Sequence, residues 1–496
     1  MCAVPRCTAV TVLYVNLPPL TPSRIAAPHN RLHKGVMMKR WMIGIAMGCC
    51  AASMSCRADE TVSLPKEEFE QMLESYQLVL QDYVGSADRK KLMTAAIRGM
   101  MSSLDPHSRY LDKDDLEDVE RINTGRYVGI GVGVELMNGQ ILIGDVAENG
   151  PADKAGIRAG DSIVAIDGAP LFGLRDSQVA HRMHGEPGTT VELTLAKRGK
   201  TPLRTVTVTR ATLQEHSVSV QRLDGNLARI RISEFASGTP AELFAALRQL
   251  DGPRRVDGIV LDLRNNPGGL VPAAVAAAGA FLPQGAVVFS ATGRLPASTS
   301  KVTVSPRFFG KAGAPDAADQ LPAFAQTVPL VVLVNGASAS AAELLAGAIQ
   351  DNGRGKVVGS RTYGKGSIQA VFPLSDESAI KLTVARYFTP NGREVQEHGI
   401  LPDVPVDPPV AHAGDDNLLF READMANHLP ASTKAPAPVA AQRPLAEDSK
   451  SFGSSSDRVL QTALAQLHAV PASGQALGSL LRGMRGIATM FKAPGG

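Results

Sequence analysis

Residues 328–372 read V-P-L-V-V-L-V-N-G-A-S-A-S-A-A-E-L-L-A-G-A-I-Q-D-N-G-R-G-K-V-V-G-S-R-T-Y-G-K-G-S-I-Q-A-V-F, and the fold is decided there. Pro329 to Val334 is a continuous, Val-rich apolar run. Its length and β-branching predict a buried strand. Asn335 and Gly336 turn the chain, and Ala341 to Gln350 carries Ala, Leu and Ile at helical spacing, with Gly353 just past the expected end. Lys356 to Gly359 predicts a second strand. Gly364-Lys365-Gly366 and the alternating stretch Ile368 to Leu374 follow.

Two positions in this stretch carry chemistry. Ser340 sits where the first strand has ended and the helix begins, so its hydroxyl is held beside free helix N–H groups that favour a developing anion. Lys365 stands between two glycines, which let the backbone come close and crowd the amine out of water. A desolvated lysine loses proton affinity and can take a proton from a serine. On a strand, Lys365, Ser367 and Gln369 share one face, which lets Gln369 orient the amine. Each residue alone has a plainer reading. A serine ahead of an Ala-rich helix is most often an N-cap, and Gly-Lys-Gly is most often a turn with a solvated lysine. The combination with features upstream shifts the balance.

In residues 213–406, Leu227 to Ile232 predicts a strand and Thr239 to Leu250 a helix with Pro240 in its first turn. Gly258 to Arg264 predicts a buried strand ending in Asn265-Asn266-Pro267-Gly268-Gly269-Leu270, and the Ala-rich helix Val271 to Phe281 follows. Strand, turn and helix thus occur twice, which implies a layered α/β core. The first turn could bring Gly268 or Gly269 N–H beside Ser340. With Ala341 N–H, that makes two donors for an oxyanion.

Residues 122–212 read as a small β domain. Tyr127 to Val134 predicts a strand with three glycines, and Ile141 to Val146 and Ser162 to Gly168 predict two more. Val191 to Ala196 and Arg204 to Arg210 predict a hairpin. Pro151 to Ile157 is a short helix with its cap, and Leu174 to Met183 a longer helix. The motifs G-I-G-V at 129–132, G-P-A-x-x-A-G-I at 150–157, G-D-x-I at 160–163 and D-G at 167–168 resemble a bacterial PDZ domain. That resemblance implies that the loop Tyr127-Val128-Gly129-Ile130-Gly131 presents N–H groups to the C-terminal carboxylate of a peptide, which adds a strand to the sheet edge.

Before it, residues 59–121 contain two amphipathic helices, one from Phe69 to Tyr83 and one from Leu92 to Leu104, the latter stopped by Asp105-Pro106-His107-Ser108. Residues 1–37 carry no periodicity and read as unstructured or as a misassigned start. Residues 38–58 have a basic stretch, an apolar run of about 14 residues and small residues after it, which predicts a secretory signal. Met37 or Met38 is then the expected start, and the product an exported, periplasmic protein, membrane-associated if Cys49 or Cys56 is lipidated. All five cysteines lie at or before Cys56, so disulfides and a cysteine nucleophile are excluded downstream. Residues 407–496 read as a Pro/Ala linker and C-terminal helices. Asp457 to His468 is amphipathic with an Asp N-cap, and Leu477 to Phe491 is a weaker repeat. A net charge of +3 and one Trp argue against nucleic acid. No H-E-x-x-H is present, and neither a metal nor a cofactor is expected.

The helical lead-in, the PDZ domain, D-L-R-N-N-P-G-G-L, N-G-A-S-A-S-A-A-E, Y-G-K-G-S-I-Q, Y-F-T-P-N-G-R and H-G-I-L-P-D-V together resemble the carboxyl-terminal processing (tail-specific) serine proteases. The resemblance covers most of the chain. It implies a mixed α/β fold: a crotonase/ClpP-like ββα protease core with an inserted PDZ β-domain and helical N- and C-terminal segments. It implies Ser340 as nucleophile, Lys365 as general base and Gln369 as the residue that positions the lysine. Ser340 is preferred to Ser338 because the family's nucleophile lies three residues before the motif's glutamate, here Glu343. The implied partners are unstructured C-terminal ends of polypeptides. A homodimer or higher oligomer and a lipoprotein adaptor are left open. His184 stands where many members carry an arginine that couples peptide binding to activity, which would make the coupling pH-dependent. Two other readings compete. A chymotrypsin-like site needs G-N-S-G-G, but Asn266-Pro267-Gly268-Gly269 has proline in the serine position. A catalytically silent PDZ-containing scaffold would have no use for Ser340, Lys365 and Gln369 together.

Overall fold

The computed structural model describes residues 65–137, 140–171, 179, 182–197, 200–308, 321–375, 377–407, 420–433 and 452–468. The segments expected as leader and as the Leu477–Phe491 helix lie outside these, as do most of the expected Pro/Ala linker and most of the expected Leu174–Met183 helix. The described chain divides at Ile97/Arg98 into two compact units.

The first unit holds helix α1 (Lys66–Asp82) and most of α2 (Arg89–Ser102), neither of which has a buried residue. Phe69, Met72, Leu73 and Val79 form an exposed apolar stripe on α1 at helical spacing.

In the second unit, strand β1 (Arg109–Leu111) leads into α3 (Lys113–Thr124). Sequence periodicity gave no sign of α3, because its charged residues outnumber its apolar ones. It is started by a reciprocal cap between Asp112 and Asp115 and ended by Gly125 in the left-handed region. The boundary expected at 121/122 therefore falls inside a helix.

The expected 127–134 strand is broken in two by Ile130 and Gly131, giving β2 (Arg126–Gly129) and β3 (Val132–Met137). With φ 79° at Gly131, the chain changes direction there. The other strands are β4 (Gln140–Val146), β5 (Asp161–Ile166), β6 (Ala169–Pro170), β7 (Thr190–Lys197), β8 (Lys200–Thr209) and β9 (Ala211–Gln214), with the short helix α4 (Pro151–Lys154). The sheet order is β3-β4-β5-β7-β8, while β2 pairs with β9 in a separate ribbon. Ile130, Ile143, Ile157, Ile166, Leu193 and Leu195 fill this domain's own core.

The large domain has two sheets. Strands β10 (Val218–Leu223), β11 (Leu227–Ile232), β12 (Gly258–Asp262), β15 (Leu330–Val334), β16 (Lys356–Gly359) and β19 (Val404–Pro405) run in that order, parallel except for β10. The second sheet is antiparallel, with order β1-β18-β13-β14 and β17 also paired to β18. Its strands are β13 (Val287–Gly293), β14 (Ser300–Thr303), β17 (Ser367–Ser375) and β18 (Ser378–Phe388). Helices α5 (Thr239–Leu250), α6 (Val271–Phe281) and α7 (Ala341–Asp351) share one apolar core with both sheets.

Alternation along the parallel strands covers both faces of their sheet. Ile259, Leu261, Val332 and Val334 join the core of α5, α6 and α7. Val260, Val331, Leu333 and Val358 instead meet Leu460, Ala463 and Leu467 of helix α8 (Arg458–His468). The expected C-terminal helix thus docks back on the core. Asp457 caps it, accepting from Leu460 N at 3.0 Å, and pairs with buried Arg264 at 2.8 Å.

Candidate active site

Ser340 is the residue before α7, with φ 53° and ψ −113°, a backbone conformation that non-glycine residues rarely adopt. Two buried side chains hold it there and tie it to the lysine segment. The Glu343 carboxylate accepts from the N–H groups of Ser340 (2.8 Å), Gly364 (2.7 Å) and Lys365 (2.9 Å), and from the Thr362 hydroxyl (2.5 Å). Across from it, the Tyr387 hydroxyl lies 2.8 Å from both the Ser340 and Lys365 carbonyl oxygens and shares its one hydrogen between them. Burial keeps that phenol protonated well above its ordinary pKa. Burial also pushes the Glu343 carboxyl up to about 7, against the four donors that favour its charged form.

The expected catalytic residues meet in one place. A cavity of about 350 Å³ is lined by Ser340, Lys365, Gln369, Gly268 and Gly269. Its apolar wall is built from Leu270, Val275, Phe289, Val302 and Phe308. Burial holds the Lys365 amine below the ordinary lysine range, and the carboxylates of Glu422, Glu343 and Asp105 offset it only in part. Ser338, the alternative serine, is spent on structure: its hydroxyl donates to Leu263 O at 2.8 Å and accepts from Asn335 N at 3.0 Å.

Gln369 lies on β17, which begins only at Ser367, after Lys365, and has an irregularity between Ile368 and Gln369, so the three residues expected on one strand face do not share a regular strand. The Gln369 amide orientation is fixed by its neighbours. Its Nε2 donates to Ser367 Oγ (3.0 Å) and Thr383 Oγ1 (3.2 Å). The Thr383 hydroxyl gives its only hydrogen to Asp105 Oδ1, at 3.0 Å, so it can only accept from Gln369. Gln369 Oε1 then remains as an acceptor.

The turn Gly268-Gly269 lies directly over the start of α7. A Cβ on Gly268 would come within 2.8 Å of Ser340 Cβ and 3.0 Å of Ala341 N, and one on Gly269 within 2.4 Å of Phe235 O. Their φ values of 105° and 129° also require glycine. One expectation is corrected: Gly268 N–H already donates to Asn266 Oδ1, at 2.8 Å. Of the two glycines expected as donors, Gly269 is the one whose N–H the Asn266 side chain does not engage as it curls back onto its own loop.

Residues 226–406 match Peptidase family S41, residues 128–209 a PDZ domain, and residues 47–115 the N-terminal domain of the activating protease CtpB. The chain is 35% identical to the carboxy-terminal-processing protease of Bartonella bacilliformis, over 71% of this chain and 79% of that protein. It is 31% identical to the carboxy-terminal processing protease CtpA of Bacillus subtilis, over 72% of each. Among solved structures, it is similar to a photosystem II D1 C-terminal processing protease at 32% identity, covering 73% of this chain and 93% of that one, with a TM-score of 0.42. This chain belongs to peptidase family S41. It is a carboxy-terminal processing protease by family and a serine-type peptidase, built as an α/β protease core with a PDZ domain.

Several residues of this S41 site escaped sequence reasoning. Asp105 and Ser108 read only as a helix stop, yet Ser108 Oγ donates to Asp105 Oδ2 (2.6 Å) and accepts from Thr383 N (3.0 Å). The Asp-x-x-Ser spacing of an Asx-type turn was the available signal. Glu422, in the stretch expected to be linker, is buried and accepts from His107 Nε2 (2.9 Å) and Gln396 Nε2 (2.9 Å). Tyr387 was visible only as part of Y-F-T-P-N-G-R.

In the PDZ domain, Tyr127, Val128 and Gly129 pair with β9, and Ile130 and Gly131 turn the chain into β3. β3 ends its sheet. His184 packs on Tyr127, with ring centroids 5.8 Å apart.

Proposed function

We propose that this protease cleaves polypeptides internally with a Ser340–Lys365 dyad, on chains selected by their C-terminal end through the PDZ domain. The observation that carries this is the shared anchoring of Ser340 and Lys365, through Glu343 and Tyr387, on one cavity. Uncharged Lys365 accepts the Ser340 proton as Oγ attacks the scissile carbonyl. The oxyanion rests on Ala341 N–H and Gly269 N–H beside the positive end of α7. The resulting ammonium then protonates the leaving amine as the C–N bond breaks. Water attacks the acyl ester as Lys365 takes its proton, and Lys365 then gives that proton to Ser340 Oγ as the ester C–O bond breaks, which restores both groups. Gln369 Oε1 accepts from the amine N–H, which aims the lone pair at the serine.

The substrate's C-terminal carboxylate takes the Tyr127–Gly131 loop, and its last residues add to the open edge of β3. The apolar stripe of α1 suits a second copy of the chain, and sedimentation of Phe69→Ser/Leu73→Ser should then show a smaller species. From the expected leader segment we infer export to the periplasm, with a lipoprotein adaptor as a candidate for substrate delivery; fractionation of the cells tests the compartment, and co-purification from them the adaptor. The site is tested on a denatured protein substrate. Wild type should digest it, and Ser340→Ala and Lys365→Ala should not. Equal residual activity in all three would refute the dyad.

A further inference from the structure

The active-site cavity carries more positive charge than the dyad needs. Besides Lys365 it is lined by Arg109, Arg307 and Lys381, against one carboxylate, Glu234. Among the described residues none of the three extra cations has a carboxylate within ion-pair distance. Arg109 and Lys381 are direct cross-strand partners between β1 and β18, and Lys381 faces Val371 on β17. Like charges placed opposite each other destabilise a sheet, so the pair costs the fold something that a bound anion would recover. Arg307 lies over the Phe308 ring, 4.8 Å from its centroid. Lys381 is half-buried, and burial, Lys365 and Arg109 together bring its amine down to about 8, so near neutral pH it is still mostly charged. Glu234 is pushed up by burial and by Glu215, which weakens it as a permanent counter-ion.

We infer that Arg109 and Lys381 form a carboxylate subsite inside the active-site cavity, which reads a carboxylate on the substrate within a few residues of the scissile bond. This rests on the Ser340 reading and deepens it. The apolar wall takes a hydrophobic side chain, and the cationic end takes either an Asp or Glu side chain or the α-carboxylate of a short leaving peptide. The subsite would thus confine cutting to bonds near a chain end or near an acidic residue, separately from any selection by the PDZ domain.

The test uses short peptides of one sequence. Asp or Glu is exchanged for Asn or Gln at each position around the cleaved bond, and the C-terminus is a free acid or an amide. For each enzyme the quantity read is the ratio of kcat/KM for the acidic peptide to that for its neutral twin, so any effect on Lys365 itself cancels. Wild type should prefer the carboxylate about tenfold at one position, chiefly through KM. Arg109→Gln and Lys381→Gln should each bring that ratio toward one, and Lys381→Glu should invert it. A preference for the free terminus that survives both Gln variants belongs to the PDZ domain, and with no other preference present it overturns the subsite. So does a wild-type ratio of one at every position. Binding of the same peptides to Ser340→Ala, followed by fluorescence anisotropy, needs no turnover. Salt-sensitive binding of the acidic peptide that Arg109→Gln abolishes supports the subsite even if the dyad reading fails, and binding unchanged by Arg109→Gln overturns it.

Discussion

The protease seam and the peptide edge of the PDZ domain solve opposite problems. At the seam, Glu343 and Tyr387 hold N–H and C=O groups of both the Ser340 and Lys365 segments from buried positions. The peptide edge has no such clamp. Its loop follows a two-stranded ribbon, β2 with β9, and leads to a strand open on one side. Proton transfer tolerates little misplacement, and about 1 Å can cost a hundredfold. Recognition of varied chain ends runs through backbone hydrogen bonds and needs an unoccupied edge. Under the proposed function, rigidity would be concentrated where bonds break, and openness where substrates differ.

The largest effects should come from the seam. Ser340→Ala and Lys365→Ala should each lower kcat by about 10⁴-fold or more, and Lys365→Arg should be as inactive, because guanidinium does not give up its proton. Retained activity in Lys365→Arg would break the comparison. Next comes Glu343→Gln, whose amide cannot accept from all four donors. We expect kcat to fall about a hundredfold with KM little changed in protein that circular dichroism shows to be folded; an equal rise in KM would mean that Glu343 supports substrate binding rather than the dyad. Activity should also fall as pH drops below neutral. Lys365, lowered by burial, becomes charged as pH falls through its pKa, and Glu343 loses its charge below about 7. Both changes act in the same direction.

Thr383→Val should be milder, about tenfold in kcat. It removes one of the two acceptors that fix the Gln369 amide, and if the proposed contact of the Gln369 carbonyl with the ammonium is thereby weakened, the rising limb of the pH profile should move to lower pH. A purely structural role would leave that limb in place. The smallest effect should come from the peptide edge. Amidating a long substrate's C-terminus should lower kcat/KM several-fold, about 1 kcal/mol, and leave kcat for short peptides unchanged. In His184→Ala, the pH dependence of this preference should flatten.

Local chemistry was legible in the sequence, and long-range closure was not. A strand, a helix start and a Gly-Lys-Gly turn within one stretch singled out Ser340, Lys365 and Gln369, the family resemblance assigned their roles, and the three line one cavity. The helices Thr239–Leu250 and Val271–Phe281 have the bounds expected of them. The groups that complete the site come from afar. Asp105 reaches Thr383, and His107 reaches Glu422, contacts for which no local pattern exists. Gly268 read as a donor because glycine permits approach, but whether its N–H is free depends on how the Asn266 side chain turns. Helix α3 was hidden because its caps, not an apolar stripe, define it.

The central claim is that Lys365 is uncharged when it meets Ser340. It is tested most directly by ¹³C NMR of lysine-labelled protein, following the Cε resonance that disappears in Lys365→Arg across a pH titration. The account predicts a midpoint well below the ordinary lysine value of about 10.4, coinciding with the rise of kcat/KM. A midpoint at or above that value, in protein that still cleaves peptides, would contradict it.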